Sequence, residues 1–296
     1  MAIHKVLLPL TSVSSARSVV ATGLQIARRH SAHLLALHVR TDVRDVAPLA
    51  GEGLSGAMIE EMMTATEQTG RSEANALKVL FEAMCADADV KITLPDFRGL
   101  HAPSTNKLAA SAQFESIIGR EEEVVAGEAR VSDLIIVPHP KSAEEVASTD
   151  ALHAVLFDSG RPALIAPVEE PTNLGTRIAV AWNGTAESSA AVASSLPWLI
   201  DAHSVRILHS VEYHRQGPPA QKLASYLALH SVAAEVVEFS SVDRSVGAGL
   251  LAAATEYGAD LLVMGAYSHS RLRQLILGGV TRHVLEHAQL PVLMNR

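Results

Sequence analysis

Residues with the types and spacing for chemistry gather near the end of the chain, in residues 260–296, DLLVMGAYSHSRLRQLILGGVTRHVLEHAQLPVLMNR. An apolar run at 261–264 passes Gly265 into a polar stretch carrying Ser268, His269, Ser270, Arg271 and Arg273. The pair Gly278-Gly279 follows, with Val280 and Thr281 opening a helical pattern and a second apolar run at 291–294. Glycines at a helix start leave backbone N–H groups bare, a setting that receives phosphate. Thr281 would add a hydroxyl there and the arginines positive charge. The plainer alternatives are a tight glycine turn and two solvated arginines.

Elements that could position these residues follow from periodicity. Short apolar runs split by helical patterns read as buried parallel strands joined by helices. In the second half they fall at 178–182, 205–211, 236–239, 261–264 and 291–294, with helices at 186–199, 218–231 and 246–257. In the first half strands are expected at 3–10, 32–39, 90–94, 134–137 and 163–166. Helices there are expected from Ser14 onward and at 57–86, 114–129 and 147–157. Residues 168–176, VEEPTNLGT, are polar and aperiodic and read as a linker. The order then restarts: Ser-Asp133-Leu-Ile-Ile-Val answers to Ala-Asp260-Leu-Leu-Val-Met, and Pro162-Ala-Leu-Ile to Pro291-Val-Leu-Met. The expectation is an α/β chain of two tandem open parallel five-stranded sheets with helices on both faces, at 1–167 and 177–296.

Ligands of such sheets sit beyond the carboxyl ends of the strands, where strand order reverses. Trp182, Asn183, Val211, Met264 and Gly265 stand at those ends. Asn183-Gly184 reads equally as the turn into a capped helix.

The spacing of the closing stretch resembles the universal stress proteins, whose nucleotide-binding members carry Gly-x2-Gly-x9-Gly-(Ser/Thr) between the fourth strand and last helix. Gly265 and Gly278 stand at the first and third glycines, Ser268 at the second, and Gly279 at the Ser/Thr. Resemblance of the chain to a tandem form of that family implies a Rossmann-like fold of the adenine nucleotide alpha hydrolase type. It implies an adenine nucleotide, ATP or AMP, bound without dedicated catalysis and not required as a cofactor. Asn183 would lie near the ribose or base and Val211 against the base, with Gly265 giving clearance. Gly278, Gly279, Val280 and Thr281 would hold phosphates, with Ser268, His269 and Arg271 beside them. The resemblance further implies a cytoplasmic stress-response protein whose halves pair through their closing strands as an intramolecular pseudo-dimer, a homodimer staying open. A scaffold of the same fold that binds no nucleotide is the alternative.

Composition narrows the other classes. Apolar residues make up 48% of the chain and aromatics 4%, enough for a core of Ala, Val and Leu. The one cysteine, Cys85, excludes an internal disulfide and fits a reducing compartment. It lies in a helical pattern and reads as a packed small hydrophobe. No window nears the roughly 18–20 uninterrupted apolar residues of a membrane span. The net charge of −8 lies wholly in residues 1–172, with 15 Lys and Arg against 23 Asp and Glu; residues 173–296 hold nine of each. An acidic surface argues against nucleic acid, and the neutral half is the better host for an anion.

Several motifs fail on inspection. Gly51-Glu-Gly53-Leu-Ser-Gly56 fits a dinucleotide fingerprint in letters but lacks its strand–turn–helix setting. Neither Gly-Lys-Ser/Thr nor Gly-x-Ser-x-Gly occurs. His283 and His287, four apart on a helix, lack a third ligand, so no metal is expected. The first half puts Pro138 where the second has Gly265, has no glycine between Pro138 and Gly160, and places Glu144 and Glu145 there instead. Like charges there oppose a phosphate, so nucleotide is expected in the second half alone.

Overall fold

The computed structural model describes residues 3–42, 56–93, 109–140, 147–213, 217–266 and 279–296. Strands β1 (Lys5–Pro9), β2 (His33–Arg40), β3 (Lys91–Ile92), β4 (Ser111–Ile118), β5 (Leu134–Val137) and β6 (Ala163–Ile165) belong to the first half. The second half carries β7 (Arg177–Ala181), β8 (Ser204–His209), β9 (Ala234–Glu238), β10 (Leu261–Gly265) and β11 (Val292–Asn295). Helices α1 (Val13–His30), α2 (Gly56–Asp87), α3 (Glu121–Arg130) and α4 (Ala147–Ala154) alternate with the first set. Helices α5 (Ala186–Asp201), α6 (Ala220–Leu229), α7 (Val246–Tyr257) and α8 (Gly279–His287) alternate with the second. The central strands read KVLLP, LIIV and LLVMG and are almost wholly buried, as parallel strands covered on both faces must be.

Two expected sheets are in fact one. The order β3-β4-β2-β1-β5-β6-β11-β10-β7-β8-β9 runs unbroken through 11 strands. Every described pairing is parallel except the central one, where β11 runs antiparallel to β6 with Val292 opposite Ile165, Leu293 opposite Leu164 and Met294 opposite Ala163. Alternate residues of these strands face opposite layers. Leu164 and Leu293 join the cluster under α1, α2, α5 and α6, while Ile165, Val292 and Met294 join the one under α3, α4, α7 and α8. Each apolar layer therefore crosses from one half to the other.

Residues 114–129 depart from the expected helix. Phe114 to Ile118 belong to β4, which pairs with β2 along its whole length, from His33 opposite Ser111 to Arg40 opposite Ile118. The helix starts only after Gly119, where Glu121, Glu122 and Glu123 favour an N-terminus. The third strand of the repeat is thus β4. The expected strand at 90–94 shrinks to β3, two exposed edge residues. Ladder hydrogen bonds along eight residues of β2 outweigh the helical spacing of a short segment.

Both halves tie down their first strand with the same residue. Asp133 accepts from the His4 and Lys5 amides at 2.8 and 3.0 Å, and Asp260 from those of Thr176 and Arg177 at 2.9 Å. Residues 167–174 are strapped along α1. Ser18 Oγ donates to the Pro167 carbonyl, Gln25 Nε2 to that of Pro171, and Arg29 Nη1 to that of Leu174 at 2.8 Å. Those three side chains lie seven and four residues apart, on one helix face.

Candidate functional site

Strand order reverses between β7 and β10, and a cleft opens at their carboxyl ends. Trp182, Asn183, Met264, Gly265, Val280 and Thr281 all line it. Six of the expected residues therefore converge from three separate stretches of chain.

Each is placed by local chemistry. Trp182 is buried, and its Nε1–H donates to the Pro218 carbonyl at 2.9 Å, which fixes the ring as a wall. Asn183 Oδ1 accepts from Thr185 N at 3.2 Å and Thr185 Oγ1 at 3.0 Å, a side-chain-closed turn. Thr185 then caps α5, accepting from Ser188 N at 3.3 Å. Among the described residues Asn183 Nδ2 makes no hydrogen bond, so the donor end of the amide is what the side chain can offer a ligand.

Gly265 has a packing reason beyond ligand clearance. A Cβ built there would stand 2.5 Å from Ser188 N and 3.0 Å from Glu187 Cβ, so only glycine lets β10 end against the first turn of α5. Gly279 is the opposite case. Nothing described lies within 4 Å of a Cβ built on it, and its backbone is not left-handed. Neither packing nor φ among the described residues demands glycine at the first position of α8.

The starts of α5 and α8 both meet the cleft, through Thr185 and Glu187 on one side and Val280 and Thr281 on the other. Two helix N-termini bring positive dipole ends and unpaired amides to one place. The carboxylate of Glu187 offsets part of that field. Thr281 is only 7% exposed and lines the cleft wall.

Val211 does not fit its expected place. It is 69% exposed in a 3-10 turn, Val211–Tyr213, and does not line the cleft. β8 ends at His209, and period-two alternation puts Leu208 and Ser210 on the cleft side, turning Val211 out. Ser268, His269, Arg271 and Gly278 lie outside the described residues, as do Ser270 and Arg273. Thr185, Glu187, Ser210 and Phe239 line the cleft without having been singled out by sequence. Alternation from Leu208 would have pointed to Ser210; nothing in the sequence marked Glu187.

Other candidate groups are occupied otherwise. Burial pushes the Cys85 thiol up to about 11, with Glu82 adding to it, so it stays protonated and packed. His283 and His287 stack with ring centroids 4.2 Å apart, and His287 Nδ1 lies 3.0 Å from the His283 carbonyl. Among the described residues no group of three His, Cys, Asp or Glu could hold a metal. Nor is any described helix long and apolar enough to cross a membrane.

Residues 176–296 match the model of the universal stress protein family. A universal stress protein from Archaeoglobus fulgidus DSM 4304 superposes with a TM-score of 0.66 at 15% identity, over 99% of this chain and 96% of that one. A functionally unknown protein from Pseudomonas aeruginosa PAO1 does so with a TM-score of 0.56 at 14% identity, over 99% and 92%. At such identities the likeness is one of fold. No curated protein matches the sequence. By the match to the family model, the chain carries a universal stress protein domain in residues 176–296.

Proposed function

We propose that the protein binds one adenine nucleotide, ATP or AMP, in the cleft of its second half, as a cytoplasmic stress-response protein with no dedicated catalysis. The observation that carries this reading is the convergence of Asn183, Gly265, Val280 and Thr281 on one cleft at the strand-order reversal. Trp182, Met264 and the apolar ends of β8 and β9 suit a flat base, and the starts of α5 and α8 suit phosphates. In this reading Gly278 and Gly279 present amides to the phosphates, and Ser268, His269 and Arg271 complete the loop. Val211 takes no part.

Support for a single site comes from the first half. The amide of Leu10 bonds the Leu37 carbonyl as that of Trp182 bonds the Leu208 carbonyl, both at 2.9 Å or less, which aligns Leu10 with Trp182 and Thr11 with Asn183. Pro138 then aligns with Gly265. The domains are read as 1–167 and 177–296 joined by 168–176, paired as an intramolecular pseudo-dimer. The antiparallel contact of β6 with β11 favours that pairing.

Isothermal calorimetry of the full chain with AMP and ATP tests the proposal. One nucleotide per chain is expected, with no phosphate released over hours. No binding at millimolar ligand, or two equivalent sites, overturns it.

A further inference from the structure

Ser210 is an anomaly in this cleft. It follows the end of β8, is 5% exposed, and its Oγ is buried with no hydrogen-bond partner among the described residues. It lines the cleft beside Leu208, Phe239, Val246 and Leu250, all apolar. Buried hydroxyls are ordinarily paired, and leaving one unmade costs about 1–3 kcal/mol.

The fold does not require that hydroxyl. The Leu10–Leu37 and Trp182–Leu208 bonds put Val39 at the position of Ser210 in the first half, where an apolar side chain serves the same strand end. The hydroxyl is thus peculiar to the second half, although His38 Nε2 and Arg40 Nε are also buried without a partner among the described residues of the first.

Its position says which part of a ligand it would meet. In the order β10-β7-β8-β9, Ser210 stands two strands from Gly265, a separation of about 10 Å. The helix starts that suit an anion follow β7 and β10, so the side toward β8 and β9 is left for an uncharged, flat group. A hydroxyl among apolar walls is the kind of polar group that fixes a ligand's orientation.

Resting on the nucleotide reading above, we propose that Ser210 is the specificity-determining anchor of the cleft, hydrogen-bonding the edge of a heteroaromatic base through a ring nitrogen or exocyclic amine. The hydroxyl both donates and accepts, so either edge group completes the pair that the described residues do not supply.

The test is Ser210→Ala in the full chain, with Ser210→Cys as a second variant that keeps the volume. Calorimetry with AMP should show affinity falling about tenfold in both. Competition by ribose 5-phosphate, which has no base, should be unchanged. The melting temperature of the free alanine variant should equal or exceed that of the parent, because a buried unpaired hydroxyl has been removed. AMP affinity unchanged while the parent binds AMP overturns the anchor and leaves the nucleotide reading standing, as does an equal loss for AMP and ribose 5-phosphate. A parent protein that binds no AMP overturns both.

Discussion

The backbone of Gly265 lies so close to Ser188 that a Cβ on the glycine would stand 2.5 Å from the serine amide nitrogen. A strand end and a helix start are thereby held in contact at the floor of the cleft. Gly265→Ala should cost about 1–3 kcal/mol by overpacking. It should also lower nucleotide affinity, because α5 must shift and Asn183 and Thr185 move with it. Thermal melts and calorimetry on the same preparation read both effects. A variant that melts like the parent would show that the contact is soft.

Gly279→Asp separates stability from binding. The position is first in α8, and no described atom lies within 4 Å of a Cβ built on it. A carboxylate there suits the helix dipole, by about 0.3–1 kcal/mol, while repelling a bound phosphate. The expected outcome is an unchanged or slightly higher melting temperature with AMP affinity down at least about tenfold, or roughly 1.4 kcal/mol. Half-stoichiometric binding at full affinity would instead reveal a second site.

His30 predicts an acid-sensitive junction between the halves. Its ring meets Trp198 of α5 edge-on at 5.2 Å, and Arg29 lies over the same indole at 5.5 Å. Burial holds the His30 pKa below the ordinary histidine value, Arg29 lowers it further, and Asp201 partly opposes them. A lowered native pKa means the unfolded chain binds the proton first. The stabilisation from His30 is therefore complete above the unfolded value of about 6.5 and is lost as pH falls through the native one. His33 and His283 shift the same way, each chiefly by burial, so the test is a difference. Between pH 7.5 and 5, His30→Gln should lose less melting temperature than the parent. Parallel curves would remove His30 from the account.

Lys at Leu164 or Val292 would bury an unpaired charge in the central strand pair, where both residues are at most 1% exposed. Destabilisation of about 4 kcal/mol is expected. Because each apolar layer crosses the pair, the chain should unfold in one cooperative transition. Two separated melts, with one half untouched, would mean the halves stand independently.

Much of this architecture is written locally. Buried parallel strands must be apolar along their length, so KVLLP, LIIV and LLVMG announce themselves, and Asp133 and Asp260 mark the same strand-tying bond in each half. The glycine spacing of the closing stretch and the strand ends with Asn183 pointed to six of the 14 described residues that line the cleft. Three features depended on partners far away in the chain. β4 is a strand because β2 offers it an eight-residue ladder, which no local pattern reveals. The single 11-stranded sheet exists because β6 and β11 each leave an edge that the other completes. The exchange of Val211 for Ser210 turned on where β8 stops, and one residue decides which side chain faces the cleft.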